Sequence, residues 1–319
     1  MQTKFTEQSG AKHPIICGAM YPCSNPELVA AASEAGALGI VQPISLVFAH
    51  KYDFRKGMEL IQSLTKNPVG LNILVEKSAK AYEERMHFWV DTALEMGVRF
   101  FVTALGNPKW VIDKVRPLGG IVYHDVTERK WALKAVEHGV DGLICVNRNA
   151  GGHAGEKSPE ELYESLHDLG LPLICAGGVG DREEFQRVMK MGYAGVQMGT
   201  RFIASKECKV HPEYHDAILK ARKEDIVLTQ KLTGVPVAII RTPYVDKIGT
   251  KAGPLARFLL RGRKTKHWMR MYYTVRSLWS LRRASQQGSA YREYYQAGKS
   301  VDGIESIDPV KKIVDDMVR

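Results

Sequence analysis

Short apolar runs alternate along the chain with amphipathic stretches of helix length. Eight of the apolar runs are rich in β-branched residues and are predicted to be strands: residues 14–18, 38–42, 69–75, 100–103, 120–124, 142–146, 172–176 and 195–198. Most are almost continuously apolar and lack the alternation of a half-exposed strand. This pattern is typical of parallel strands that are buried on both faces.

Helix-length segments separate most of the strands. The periodicity predicts helices over residues 26–35, 78–97, 108–118, 128–139, 158–170 and 181–192. Several end at or just before a glycine, the residue favoured beyond a helix C-terminus, and Ser158 followed by Pro159 is a typical helix start. Eight strand–helix units in series predict a (β/α)8 TIM barrel, an α/β fold. An open dinucleotide-binding sheet is disfavoured, because no Gly-x-Gly-x-x-Gly follows the first strand.

The repeating pattern stops after about Ile203, where irregular elements and helices are expected to pack around the barrel. We expect residues 1–205 together with residues 206–256 to form the barrel and its insertions. We expect residues 257–319 to form a C-terminal helical segment packed on the barrel.

Composition is typical of a globular protein, with 45% apolar and 25% charged residues. The N-terminus lacks a signal-peptide pattern, and no run of about 18 apolar residues predicts a membrane-spanning helix. The five cysteines form no Cys-x-x-Cys pair. We therefore expect a cytoplasmic protein with reduced, mostly buried thiols, and neither a disulfide framework nor a metal site.

Positive charge is concentrated in residues 257–283, which hold nine Lys and Arg residues and no acid, and so +9 of the net charge of +10. A cofactor phosphate, an acidic partner or an anionic surface could use such a segment. The interpretation we favour is a basic helical tail that covers the barrel. In that interpretation its charges are solvated and four aromatic side chains pack inward: Trp268, Tyr272, Tyr273 and Trp279.

Chemistry in a TIM barrel lies beyond the carboxyl ends of the strands. Two glycine turns end the last two predicted strands, with Gly177 and Gly178 in one and Gly199 before Thr200 in the other. Backbone N–H groups at such turns form an anion site. We predict that a phosphate binds there.

The run of residues 150–155, Ala-Gly-Gly-His-Ala-Gly, follows the sixth strand. Small neighbours allow the backbone to approach a planar ring and present the imidazole of His153, which is predicted to be catalytic as a proton donor or acceptor. His124 is expected either to contact a cofactor or to cap the fifth strand. Asn72 interrupts an apolar strand, and a flavin edge or a loop backbone would satisfy its amide.

These residues resemble the nitronate monooxygenase (formerly 2-nitropropane dioxygenase) family of FMN barrels. That family also includes flavin-dependent enoyl-acyl-carrier-protein reductases and some NADH:quinone reductases. The resemblance covers about residues 14–205 and, weakly, residues 297–301. The matching pieces are residues 14–16 with Met20, 70–72, 150–155, 176–179 and 199–202.

The resemblance implies FMN, with its phosphate on the two glycine turns and its ring against the loops after strands one, three and six. The predicted cofactor-binding residues are Gly18, Ala19, Met20, Asn72, His124, Ala150, Gly151, Gly177, Gly178, Gly199 and Thr200. His153 matches the catalytic histidine of the family, which acts as a base or anchor beside the nitro group. In such an enzyme FMN takes electrons from the nitronate carbon and O2 reoxidises it, which yields a carbonyl compound and nitrite.

Two positions depart from the family pattern. Cys-Gly-Ala-Met at residues 17–20 lacks the glutamine that often follows the first strand, and Asn149 stands where glutamate often precedes the Ala-Gly-Gly-His motif. Both departures bear on the subclass more than on the cofactor.

Three functions follow as hypotheses. The first is oxidation of a small nitronate or nitroalkane with O2, without a nicotinamide. The second is a reductase that passes hydride from NADH or NADPH through FMN to a quinone or an enoyl thioester, where the basic segment could dock an acidic carrier protein. The third, a flavoprotein attracted to nucleic acid or a membrane, has no recognition motif. The physiological substrate and the oligomeric state, a homodimer included, stay open.

Overall fold

Eight parallel strands close into a barrel in chain order, with the first strand paired to both the second and the eighth. The structure is a computed structural model that describes residues 1–75, 80–232, 234–251, 265–288 and 293–319, with the side chains of residues 80–81 and 265–275 left out. The barrel strands are β1 Ile15–Cys17, β2 Leu38–Val41, β3 Val69–Leu74, β4 Phe100–Ala104, β5 Ile121–Val126, β6 Gly142–Val146, β7 Leu173–Ala176 and β8 Gly195–Met198. All eight predicted strands and the TIM barrel are confirmed, with strand ends within two residues.

Helices surround the barrel. They are α1 Lys4–Ser9, α2 Pro26–Glu34, α3 Phe54–Leu64, α4 Lys80–Glu95, α5 Lys109–Val115, α6 Arg129–Glu137, α7 Pro159–Leu166, α8 Arg182–Lys190, α9 Thr200–Ile203, α10 Pro212–Lys220, α11 Pro243–Ile248, α12 Thr265–Gln287 and α13 Val310–Val318. The six predicted helices are confirmed, although residues 78 and 79 lie outside the described residues. A π-helical turn, Ser45–Ala49, and α3 follow β2, where no helix was predicted.

Side chains on each strand alternate between two apolar cores. Ile16 and Tyr123 belong to the core inside the barrel, and Cys17 and Val122 to the core between strands and helices. Because successive side chains on a strand point to opposite faces, this alternation decides which residues reach the barrel mouth.

Helix α1 closes the amino-terminal end of the barrel. Phe5 lies edge-on to Phe100 and Tyr123, with ring centroids 5.7 and 6.1 Å apart, and the Tyr123 hydroxyl donates a hydrogen bond of 2.6 Å to Gln8. Burial of such a ring contributes on the order of 2–3 kcal/mol. Helix α1 therefore blocks the amino-terminal end of the barrel, and a ligand would reach the interior from the carboxyl ends of the strands.

Helix α13 occupies the position of the eighth barrel helix, because it packs against α8 and α2. Its buried face consists of Val310, Ile313, Val314 and Met317. Arg201 fixes the approach to this helix: it is buried and donates hydrogen bonds to the backbone carbonyl of Ser306 at 2.9 Å and to the Asp308 carboxylate at 3.1 Å. The chain that follows β8, called the excursion below, thus comes back to the barrel at α13, and α13 completes the ring of helices.

The excursion contributes an antiparallel hairpin, β9 Ile226–Thr229 and β10 Val237–Ile240, and the long helix α12. The Tyr21 hydroxyl, on the loop after β1, donates to the carbonyl of Leu278 in α12 at 2.8 Å. No helix among the described residues is long and apolar enough to span a bilayer.

The prediction that Trp279 packs inward is wrong. Its ring is 60% exposed, and the Arg283 guanidinium lies 4.2 Å from its centroid. Stacking under a cation stabilises this exposed ring without burial. The side chains of Trp268, Tyr272 and Tyr273 lie outside the described residues, as do the first six basic side chains of residues 257–283.

Candidate active site

The loop that carries His153 is organised by one buried asparagine. The Asn147 backbone carbonyl accepts N–H groups from Ala150 and Gly155 at 3.2 Å, and its side-chain oxygen accepts the N–H of Asn149 at 2.8 Å. Its amide donates to the carbonyl of Gly177 at 2.9 Å. Asn147 therefore ties the loop after β6 to the turn after β7, and no signal used in the sequence analysis singled it out.

Close backbone contacts explain why glycine stands in the turn after β7. Gly177 and Gly178 have φ of 118° and 93°, in the region that L side chains rarely adopt. A Cβ on Gly177 would lie 2.5 Å from the backbone nitrogen of Ala150, and one on Gly178 would lie 3.2 Å from the side chain of Asn149. The two loops are in direct contact.

The excursion after β8 covers the other side of the His153 loop. Ala238 in β10 donates its N–H to the carbonyl of Gly152 at 2.7 Å, and Lys299 donates its N–H to the carbonyl of Asn149 at 2.9 Å. A Cβ on Gly151 would lie 2.9 Å from the nitrogen of Gly298. The loop is therefore held between the barrel and residues 296–299.

The imidazole of His153 is exposed at this mouth, between Gly152 and Ala154. The N–H of Ala154 donates to the carbonyl of Gly152 at 3.0 Å, which turns the backbone sharply around the histidine. The surrounding protein lowers the pKa of His153 from 6.5 by desolvation. The ring is therefore neutral at neutral pH and can accept a proton.

The turn after β8 completes a second group of predicted residues. The sulfur of Met20 lies 3.4 Å from where a Cβ of Gly199 would stand, and the buried Thr200 hydroxyl accepts the N–H of Gly298 at 2.9 Å. Within the described part of the chain, the backbone N–H groups of Gly178 and Gly199 donate no hydrogen bond to the protein. Free N–H groups at glycine turns suit an anion.

Three polar side chains face inward at the top of the otherwise apolar barrel interior. Asn72, Asp125 and Gln197 are paired in register with Val102, Ile144 and Ile16, all members of the inner core. Gly18 leaves room for one of them, because a Cβ there would lie 3.0 Å from Cγ of Gln197. Sequence reasoning missed Asp125 and Gln197, although strand alternation counted from Tyr123 would have found the first.

His124 is the predicted residue that the structure does not bring to this group. It lies on the helix-facing side of β5, where its Nδ1 is 2.8 Å from the Thr103 hydroxyl, and burial together with the charge of His138 lowers its pKa to about 4. The other predicted residues border the mouth: Gly18, Ala19, Met20, Asn72, Ala150, Gly151, His153, Gly177, Gly178, Gly199 and Thr200.

Two buried polar atoms at the mouth lack partners. Oδ1 of Asp125 and Oε1 of Gln197 make no hydrogen bond within the described residues. Because buried polar atoms are almost always paired, these two fit a ligand with hydrogen-bonding groups. Together with the glycine turns, the residues present fit a flat, polar-edged ring that carries a phosphate.

The chain matches a known family over nearly its whole length. A family model described as nitronate monooxygenase matches residues 2–319. A (3aS,4S,5R,7aS)-5-hydroxy-7a-methyl-1-oxo-octahydro-1H-indene-4-carboxyl-CoA dehydrogenase from Mycobacterium tuberculosis is 28% identical over 277 residues, 85% of this chain and 76% of the relative. A probable nitronate monooxygenase from Staphylococcus saprophyticus is 26% identical over 291 residues, 78% of this chain and 81% of the relative.

Solved structures agree with the fold. FabK from Thermotoga maritima superposes with a TM-score of 0.83 at 30% identity, covering 100% of this chain and 95% of that one. A nitroalkane oxidase from Streptomyces ansochromogenes superposes with a TM-score of 0.77, covering 98% of this chain and 96% of that one. At 20% identity the second likeness shows the fold alone.

Proposed function

Because this chain belongs to the nitronate monooxygenase family, we propose that it is an FMN-dependent oxidoreductase that oxidises alkyl nitronates with O2 to a carbonyl compound and nitrite. The observation that carries the proposal is the position of His153 on a loop in direct contact with the glycine turn after β7. A proton acceptor and an anion site at one mouth are what a histidine-assisted flavin enzyme requires.

The glycine turns would hold the FMN phosphate. The unpaired N–H groups of Gly178 and Gly199 and the hydroxyl of Thr200 are suitable donors, because none needs a charge to bind an anion. Gly177 admits the phosphate end close to the backbone. Positive charge from residues 257–283 is not required for this step.

The inward polar residues would hold the ring of FMN. Asn72 and Gln197 each supply an amide, which can both donate and accept hydrogen bonds. Gly18, Ala19 and Gly151 carry no side chain larger than a methyl group, so a flat ring could approach the backbone at the mouth. FMN, when bound, supplies the electron acceptor for the substrate carbon.

His153 would handle the proton and orient the substrate. Its lowered pKa keeps the imidazole neutral, so it can remove a proton from a nitroalkane or anchor the nitro group through its N–H. Such a group contributes on the order of 10²–10⁴-fold to a rate when it is correctly placed. Residues 296–299 support its loop and limit the entry of water from that side.

A second candidate is an NAD(P)H-dependent reductase of an enoyl thioester or a quinone. Two comparisons favour it: the Mycobacterium tuberculosis relative is named for a carboxyl-CoA substrate, and FabK, an enoyl-acyl-carrier-protein reductase, superposes at 30% identity. The exposed Trp279 and Arg283 on α12 would suit an anionic substrate carrier.

One assay separates the two candidates. The protein loaded with FMN is given propyl-1-nitronate in air, or a crotonyl thioester with NADH or NADPH, and nitrite, O2 and thioester are measured. The first proposal expects nitrite formation with O2 consumption and no need for nicotinamide. Nicotinamide oxidation that depends on the thioester, without nitrite from the nitronate, would establish the second.

A further inference from the structure

Asp125 carries a carboxyl group that the proposed mechanism does not use, and the Oδ1 atom of that group is buried. It lies near the carboxyl end of β5 on the inward face, since its register partner Ile144 belongs to the inner core and its neighbours Val122 and Val126 belong to the outer one. Tyr123 stands one layer below it, inside the barrel. The carboxyl group is thus at the boundary between the apolar interior and the mouth.

Within the described residues, no charged group pairs with this carboxyl. Its Oδ1 is fully buried and makes no hydrogen bond within the described residues. Strand β4 offers no titratable side chain, and β6 offers only Cys145, a buried thiol. Arg148 pairs instead with Glu161 at 4.0 Å on the outside of the loop after β6, and His153 is the remaining titratable group of that loop before Gly155.

The environment favours the protonated form of this acid. Burial raises the pKa of Asp125 from 3.8 to about 7, with no contribution from a neighbouring charge. A charged carboxylate without a partner is costly in such a place, whereas a neutral carboxyl can donate a hydrogen bond to a ligand. Asp125 therefore changes its charge near neutral pH at the mouth of the barrel.

We propose that Asp125 is a neutral acid that donates a hydrogen bond to the bound flavin, an inference that rests on the proposed function. The edge of the flavin ring carries carbonyl oxygens that accept such a bond, and electron transfer to the ring adds negative charge to it. A protonated Asp125 stabilises this charge, and an ionised Asp125 opposes it. The residue thus couples flavin affinity and reduction to the proton concentration.

The test compares FMN affinity of the apoprotein at pH 6 and pH 8 for the wild type, Asp125→Asn and Asp125→Leu. One proton with a pKa of about 7 makes the wild type about tenfold weaker at pH 8 than at pH 6, relative to Asp125→Asn. Titration of the FMN phosphate and of His153 is shared by both proteins and cancels in this ratio. Asp125→Leu, which cannot donate, should be about threefold to tenfold weaker than Asp125→Asn at both pH values.

Asp113→Asn is the matched control, because it removes an exposed carboxylate that pairs with Lys109 on the same helix, α5. The ratio of its FMN affinities at pH 6 and pH 8 should equal that of the wild type. A wild type that binds FMN with the same pH dependence as Asp125→Asn would overturn the inference and leave the function standing. A wild type that binds no flavin at all would instead refute the proposed function.

A second readout needs no variant. Among the described residues, Asp125 is the carboxyl whose pKa burial raises, so in the apoprotein a protonated-carboxyl infrared band at pH 6 that disappears by pH 8 identifies it. The FMN-loaded protein should keep this band at pH 8, because the proposed hydrogen bond to the flavin retains the proton. Its absence at pH 6 would contradict the inference even if neither variant folds.

Discussion

Gly151 and Gly298 stand back to back at the barrel mouth: a Cβ on Gly298 would lie 2.6 Å from the backbone nitrogen of Gly151. One residue belongs to the loop that carries His153, and the other to the excursion that returns after β8. No side chain fits between them. The contact makes the position of the His153 loop depend on a segment 147 positions further along the chain.

Gly298→Ala should therefore displace the His153 loop. We expect a loss of about 1–3 kcal/mol in the free energy of unfolding, because an added methyl overpacks this contact, and a fall in turnover of roughly tenfold or more. Denaturant unfolding and steady-state turnover measure the two effects. Gly170→Ala is the control: it strains a left-handed glycine with nothing within 4 Å, and it should leave turnover unchanged. Equal turnover of Gly298→Ala and the wild type would show that the contact does not matter.

His153→Asn should retain FMN and lose most turnover. The amide keeps a hydrogen-bonding side chain but cannot take up a proton, so we expect a fall in kcat of about 10²–10⁴-fold and FMN affinity within a few-fold of the wild type. The wild-type rate should also fall with decreasing pH at a point below 6.5, because desolvation lowers the pKa of His153. His167→Asn, at an exposed position, provides the control. Unchanged kcat in His153→Asn would remove this residue from the mechanism.

His124 should affect stability and not the cofactor. Its folded pKa, about 4, is below the unfolded value of 6.5, so its contribution to stability is present above pH 6.5 and is lost as the pH falls toward 4. His124→Asn removes this dependence, and the wild type should lose up to about 1.4 kcal/mol more per pH unit in that range. Urea unfolding at pH 7, 6 and 5 measures the difference. A large change in FMN affinity at pH 7 would place His124 at the site after all.

The ion pair between Arg201 and Asp308 should stabilise the turn after β8. Asp308→Asn removes the negative charge that pairs with a buried guanidinium, and we expect a loss of about 1.5–3 kcal/mol in the free energy of unfolding. Asp315→Asn, which breaks an exposed pair with Lys311 on the same terminal helix, should cost less than about 1 kcal/mol. Equal losses in the two variants would show that burial gives the first pair no special role.

The periodic part of the fold could be predicted from the sequence because local patterns specify it. Apolar runs such as residues 142–146 and glycine-terminated amphipathic segments fix strands and helices within a few residues. The return of α13 to the eighth helix position has no local signal. Its buried face is amphipathic like any other, and only tertiary packing selects α8 and α2 as neighbours.

The site could be predicted in part for the same reason. Glycine turns and the His153 motif are local, and they converge because strand order places their loops side by side. His124 was predicted from its position along the chain without strand alternation, which points His124 outward and Asp125 inward. The support from Gly298 depends on a contact between distant segments that no local pattern contains.

The most direct test of the proposed flavin chemistry is anaerobic mixing of the FMN-loaded protein with propyl-1-nitronate, followed by the visible absorption of the flavin. The proposal predicts that the nitronate bleaches the flavin without any nicotinamide, that readmission of O2 restores the colour, and that His153→Asn bleaches far more slowly. A flavin that stays oxidised with the nitronate, or a protein that cannot be loaded with FMN, would contradict it.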